Sequence, residues 1–260
     1  MASQLTKKTA CVIGGTGFVA SLLVKLLLEK GYAVNTTVRD PGNQKKVAHL
    51  IALQNLGDLN IFGADLTDEE SFNAPIAGCE LVFHVATPVN FASEDPENDM
   101  IKPAIQGVHN VLKACSKAKT VKRVILTSSA AALSINKLNG TGLIMDEKNW
   151  TDVEFLTSEK PPTWGYPASK TLAEKAAWKF AEENNIDLIT VIPSLMTGPS
   201  LTLDIPSSVH LSMSLITGAK PARSLESKIC VILFVFFYLF KLTDNWPFYG
   251  FFNKLQGMNS

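Results

Sequence analysis

Cysteine and histidine are both scarce in this chain. They are scattered, at Cys11, Cys79, Cys115 and Cys230 and at His49, His84, His109 and His210. No Cys-x-x-Cys pair or His/Cys cluster at ligand spacing occurs, so neither a disulfide framework nor a metal site is expected. A charge surplus is missing too: 24 basic residues balance 24 acidic ones. Without a basic excess, no nucleic-acid partner is expected. Met1 to Lys8 is polar and lacks the apolar core of a signal peptide. With this cysteine usage, a reducing, cytoplasmic setting is expected. One long apolar run occurs, Ile229 to Phe240. As a helix it would span about 18 Å, short of the roughly 30 Å of a bilayer core, so no membrane partner is expected.

What the chain has is apolar residues in quantity, 46% of 260. That suffices for a large core and one large or two small domains. The organising stretch is Thr9 to Val38. An apolar run from Thr9 to Ile13 enters Gly14-Gly15-Thr16-Gly17-Phe18-Val19-Ala20, followed by a helical pattern to about Lys30 and a second apolar run, Ala33 to Val38. Strand, glycine turn, helix, strand is the opening unit of a dinucleotide-binding fold. Gly14 can take the tight turn, and Gly17 lets phosphates approach the main chain. The helix start, Thr16, Phe18 and Val19 included, offers free N–H groups and a positive dipole end to an anion.

The rest of the chain continues the alternation. Helices are expected near Gln44 to Leu56, Asp99 to Ala118 and Tyr166 to Asn184. Apolar strands are expected at Leu59 to Phe62, Leu81 to Val85, Arg123 to Leu126 and Leu188 to Ile192. Ser134 to Thr163 reads as a long loop region, a length that usually serves a site. The expected architecture is α/β: a doubly wound parallel sheet of Rossmann type.

Several residues stand where such a fold does its chemistry. After the second strand, where an acidic residue would bind unphosphorylated ribose, Arg39 precedes Asp40, and Lys45 and Lys46 open the next helix. A guanidinium and an ammonium suit a 2′-phosphate, which favours NADP over NAD. Asp65, just past the third strand, either meets the adenine amino group or caps the following turn. Val85-Ala86-Thr87-Pro88 ends the fourth strand with residues the nicotinamide half could pass, and His84 reads as a strand-end residue with a satisfied hydrogen bond. Thr127-Ser128-Ser129 ends the fifth. Tyr166 and Lys170 are four apart, on one helical face. A cation one turn from a phenol favours the phenolate and brings it into range as an acid-base group.

Gly14-x-x-Gly17-x-x-Ala20, Asp65-Leu66, Thr127-Ser128-Ser129 and Tyr166-x-x-x-Lys170, in this order, resemble an extended short-chain dehydrogenase/reductase. Val38-Arg39-Asp40-Pro41, Val85 to Pro88, Asn149-Trp150-Thr151-Asp152 and Pro162 to Lys170 are similar to the plant reductases of flavonoid and phenylpropanoid metabolism. The resemblance covers about Lys8 to Gly218. It implies NADPH-dependent reduction of an anthocyanidin to a flavan-3-ol, with a small flavonoid as the partner molecule. The sibling chemistries would be reduction of dihydroflavonols or cinnamoyl thioesters. A non-catalytic NADP-binding chain is the alternative from another class. By the same resemblance Thr16 to Val19 hold the pyrophosphate, Arg39 and Lys46 the 2′-phosphate, and Val85 to Pro88 the nicotinamide ribose. Ser129, with Ser128 as second choice, hydrogen-bonds the substrate oxygen, and Tyr166 donates the proton. Lys170 binds the ribose and lowers the pKa of Tyr166; both also border the cofactor. The resemblance divides the chain into residues 1–218, the NADP-binding domain with the start of a substrate region, and 219–260, a divergent hydrophobic tail. The substrate domain is expected to be largely missing.

Overall fold

A computed structural model describes residues 7–136, 145, 146 and 148–217. The tail expected at 219–260 lies outside the described residues. Six strands form one sheet: β1 (Thr9–Ile13), β2 (Ala33–Val38), β3 (Leu59–Gly63), β4 (Leu81–His84), β5 (Arg123–Thr127) and β6 (Leu188–Val191). Their order is β3-β2-β1-β4-β5-β6 and every pairing is parallel. The helices between them are α1 (Phe18–Glu29), α2 (Gln44–Leu53), α3 (Asn73–Ile76), α4 (Lys102–Ala118), α5 (Val153–Glu159), α6 (Gly165–Glu183) and α7 (Ser207–Thr217). This is the doubly wound order, and it reverses between β1 and β4.

Alternation along the strands builds a core on each face. In β1, Ala10 and Val12 face α1 and α2 with Val24, Leu28 and Leu50. Cys11 and Ile13 face α4 and α6 with Val108, Val111 and Ala177. The polar residues of β2 are satisfied: the Thr36 hydroxyl donates to the Val12 carbonyl at 2.9 Å, and the Asn35 amide donates to that of Pro75 at 2.8 Å. In register, Ile13 pairs with Thr37 on one side and His84 on the other, so the carboxyl ends at the reversal point are level.

Two boundaries differ from the sequence reading. The helix expected from Asp99 starts instead as a π turn, Glu97–Ile101, which runs into α4. The region from Ser134 to Thr163, read as loop, contains α5. Seven residues are too few to show a periodicity, and α5 is defined by its ends: the Asp152 carboxylate accepts from the Phe155 amide, and Lys160 closes it in the left-handed conformation. Among the described residues no helix is long and apolar enough to cross a membrane.

Candidate active site

The turn after β1 is pinned to its neighbours from both sides. Gly14 has φ +93°, and a Cβ there would stand 2.8 Å from that of Ala86, at the exit of β4. The amides of Gly14 and Gly15 both donate to the Thr37 carbonyl, at 3.2 and 2.8 Å. Gly15, which the sequence reading assigned no task, is as constrained as Gly14: its Cβ would lie 2.3 Å from Thr36 Oγ1. Gly17 differs, since it has ordinary extended backbone and a Cβ would meet only the Gly14 carbonyl at 3.3 Å and Ala20 at 4.0 Å. Nothing in the protein requires glycine there as it does at the other two. No side chain caps α1 and its first turn carries no acid. The amides of Phe18, Val19 and Ala20 therefore have no helical carbonyl to bond. The open space over Gly17 and the uncapped amides fit the pyrophosphate of a nicotinamide dinucleotide.

The carboxyl end of β2 is electropositive. The Asp40 carboxylate is turned into its own loop, accepting from the Gly42 amide at 2.9 Å. Arg39, whose side chain is 83% exposed, reaches toward Asp65 with 3.5 Å between Nε and Oδ2. Such an exposed pair binds weakly. Lys45 and Lys46 are exposed in the first turn of α2, where cations oppose the helix dipole. Of the two roles open to Asp65, the local one is occupied. Its Oδ1 accepts from the Thr67 amide at 2.9 Å and hydroxyl at 2.6 Å, and these bonds, then Arg39, hold its pKa below the usual range.

At the exit of β4, the amides of Val85 and Ala86 both donate to the Ile13 carbonyl. Ala86 and Thr87 line one side of a small cavity whose other side is Thr127, Ser128 and Lys170. Pro88 follows. His84 corrects the sequence reading: it is 4% exposed and its Nδ1 is buried without a hydrogen-bond partner. Burial, and then the neighbouring Lys170, push its pKa down to about 3. Its register partners on the two neighbouring strands, Ile13 and Leu126, are apolar and offer that nitrogen no side-chain partner.

The serines after β5 have separate tasks. The Ser129 oxygen caps the 3-10 turn Ala130–Ala132, accepting from the Ala131 amide at 3.2 Å, and its side chain lies near enough to Tyr166 to lower that phenol's pKa. The Ser128 hydroxyl turns inward and donates to Glu174. Thr151 anchors the segment. Its hydroxyl donates to the Ala131 carbonyl at 2.7 Å and its amide to that of Ala132 at 2.9 Å. The start of α6 is pressed against the π turn, because a Cβ on Gly165 would stand 2.3 Å from that of Pro96. Tyr166 is thereby held beneath Phe91, ring centroids 5.4 Å apart.

The electrostatics of Tyr166 depart from expectation. Burial raises the phenol's pKa, and the Ser129 side chain opposes it only in part. Lys170 is not among the groups that shift it; its ammonium donates to the Thr127 carbonyl at 2.8 Å. Burial brings Lys170 down to about 8, with Glu174 opposing. Sequence reasoning also missed Glu174 and Phe91; the four-residue spacing of Glu174 from Lys170 was the available signal.

Comparison with known proteins places the chain in a family. Anthocyanidin reductase ((2S)-flavan-3-ol-forming) of Vitis vinifera is 82% identical over 220 residues, 84% of this chain and 65% of its own length. The chain thus spans just under two thirds of the curated relatives it matches. The vestitone reductase of alfalfa (Medicago sativa) superposes with a TM-score of 0.71 at 41% identity, covering 80% of this chain and 64% of that one. Yeast methylglyoxal/isovaleraldehyde reductase Gre2, solved with NADPH, gives a TM-score of 0.66 at 32% identity over 74% of this chain and 59% of its own. The model of the NAD dependent epimerase/dehydratase family matches residues 10–220, a stretch that contains the whole sheet, the glycine turn and Tyr166 with Lys170, and the chain belongs to that family.

Proposed function

We propose that this chain is an NADPH-dependent reductase of anthocyanidins that yields flavan-3-ols. The observation that carries the reading is the meeting of Ser129, Tyr166 and Lys170 at the carboxyl end of β5, where Lys170 borders a cavity shared with the Ala86 that packs against Gly14. The 82% identity to a grape enzyme named for this reaction supports the substrate class. Phe91, 41% exposed against the Tyr166 ring, offers an aromatic wall to a planar ring system.

Thr16 to Val19 would hold the pyrophosphate, Arg39 and Lys46 the 2′-phosphate, Asp65, through the oxygen not bonded to Thr67, the adenine edge, and Val85 to Pro88 the nicotinamide ribose. NADPH, when bound, supplies the hydride. The protein supplies the proton and the geometry. Ser129 donates to the substrate oxygen and fixes it beside Tyr166. A phenol whose pKa burial has raised keeps its proton at neutral pH, so Tyr166 is poised as an acid. Lys170, whose ammonium donates to the Thr127 carbonyl, would bind the cofactor ribose.

The test is NADPH binding by fluorescence and turnover of cyanidin with NADPH by the purified chain. Tyr166→Phe is expected to lower turnover at least about 100-fold and to leave NADPH affinity within a few-fold. Unchanged turnover removes Tyr166 from the mechanism. NADPH binding without turnover in the unaltered chain overturns the reductase reading and leaves a cofactor-binding protein.

A further inference from the structure

One turn past Lys170, Glu174 is 3% exposed. One of its oxygens accepts from the Ser128 hydroxyl, the other from the Trp178 indole N–H at 3.4 Å. Both partners can donate to a carboxylate. Burying such a charge costs several kcal/mol unless something nearby requires it, and an apolar residue would fill the same space without that cost.

Lys170 supplies the requirement. It is 7% exposed and gives one of its three N–H groups to the Thr127 carbonyl at 2.8 Å. A carbonyl carries no charge to balance an ammonium. The surroundings of the cavity supply none either: β4 contributes the neutral His84, β5 contributes Leu126, Thr127 and Ser128, and α4 contributes Ala104 and Val108. On α6 itself, Tyr166 keeps its proton. Among the described residues lining this cavity, Glu174 is the anionic group facing Lys170. No direct ion pair joins them among the described contacts, so Glu174 acts through the field while Ser128 ties it to the end of β5.

We propose that Glu174 is a positioning residue: anchored by Ser128, its carboxylate keeps Lys170 an ammonium in a site whose burial favours the neutral amine, so that the cation stays available to the cofactor ribose. The inference rests on the reading of Lys170 as a cofactor-binding residue. It gives the buried Ser128 hydroxyl a task distinct from that of Ser129.

The direct test follows the Lys170 proton without any cofactor. In the full chain labelled with 15N-lysine, the Lys170 side-chain signal, assigned by its loss in Lys170→Arg, is titrated in the unaltered protein and in Glu174→Gln. Glutamine keeps an acceptor for Ser128 and removes the charge. The expected midpoint is near 8 in the unaltered chain and lower by about one unit in the variant. NADPH affinity of Glu174→Gln is expected to fall several-fold at pH 8 and to recover at pH 6.5, a rescue that a purely structural role would not show. An unchanged Lys170 midpoint overturns the proposal. Should Glu174→Gln fail to fold, Glu174→Asp, which withdraws the charge by one methylene, is expected to shift the midpoint in the same direction by less; no shift there is equally fatal. A chain that binds no NADPH overturns the proposed function, while the Lys170 titration still decides the role of Glu174.

Discussion

His84 carries a stability consequence in the acid range. Its pKa, lowered to about 3 in the folded chain by burial and then by Lys170, lies well below the ordinary value of about 6.5. Between those limits the unfolded chain binds a proton that the folded chain refuses, so stability rises with pH across the window. Read downward, folding is expected to weaken as pH falls from about 6.5 toward 3, with a slope from this group of at most about 1.4 kcal/mol per pH unit. His84→Leu removes the titration, and urea unfolding at a series of pH values should show a shallower acid limb for the variant. Identical limbs would mean that the ring takes up its proton without unfolding. The sequence could not announce this behaviour. A histidine closing a short apolar run looks the same whether or not a hydrogen-bond partner lies beside it, and here Nδ1 has none, with apolar Ile13 and Leu126 as its register partners.

At the scale of elements, what was legible follows from burial on both faces. Most of the strands read as apolar because parallel strands in this sheet meet helices above and below, β2 with its Asn35, Thr36 and Thr37 being the exception. The turn and α1 were legible because glycine spacing and helix pattern meet in one short stretch. Elements made by their ends were not. Thus α5 exists through Asp152 and Lys160, and the π turn through its fit against Gly165. Glu174 shows the same limit in a side chain. Lys25 with Glu29 and Lys179 with Glu183 have the same four-residue spacing as Lys170 with Glu174, yet both of those pairs stand partly or largely in solvent. Spacing selects a face of a helix, and only packing decides whether that face is wet. The glycine turn itself invites a test that separates folding from binding. Gly15→Ala drives a Cβ into Thr36 Oγ1, whose hydroxyl is committed to the Val12 carbonyl. It is expected to cost about 1–3 kcal/mol of stability. Gly17→Ala meets only the Gly14 carbonyl and Ala20, and as a poorer N-cap it should cost about 1 kcal/mol or less. Its effect should fall instead on NADPH affinity, by tenfold or more, because the new methyl occupies the space above the free amides. Chemical denaturation and fluorescence titration distinguish the two. If Gly17→Ala binds NADPH as the unaltered chain does, the pyrophosphate is not held over that turn.

For the molecule as a whole, the site lies where the strand order reverses, between a half made of β1, β2 and β3 and a half made of β4, β5 and β6. The two halves meet through the pairing of β1 with β4 and through the contact of Gly14 with Ala86. A dinucleotide held along this edge as proposed would touch both halves, from Arg39 at one end to Lys170 at the other, and so would bind only the folded chain. Its free energy of binding must then add to stability by mass action, about 2.7 kcal/mol at one hundred times Kd, or roughly 5–10 °C in Tm for a domain of this size. Which dinucleotide does this depends on charge that is local. The chain is neutral overall, 24 against 24, so no long-range field draws in an extra phosphate. The exposed Arg39, Lys45 and Lys46 must do so alone, with Asp40 turned away into its own loop. At equal concentration NADPH is therefore expected to raise Tm by several degrees more than NADH. Arg39→Ala should erase most of that difference while leaving the NADH shift in place, and raised salt should shrink it too, because these cations are exposed. Thermal unfolding with each nucleotide measures all three. Equal shifts from NADPH and NADH in the unaltered chain would mean that the cluster at the end of β2 is a solvated surface and not the seat of a phosphate.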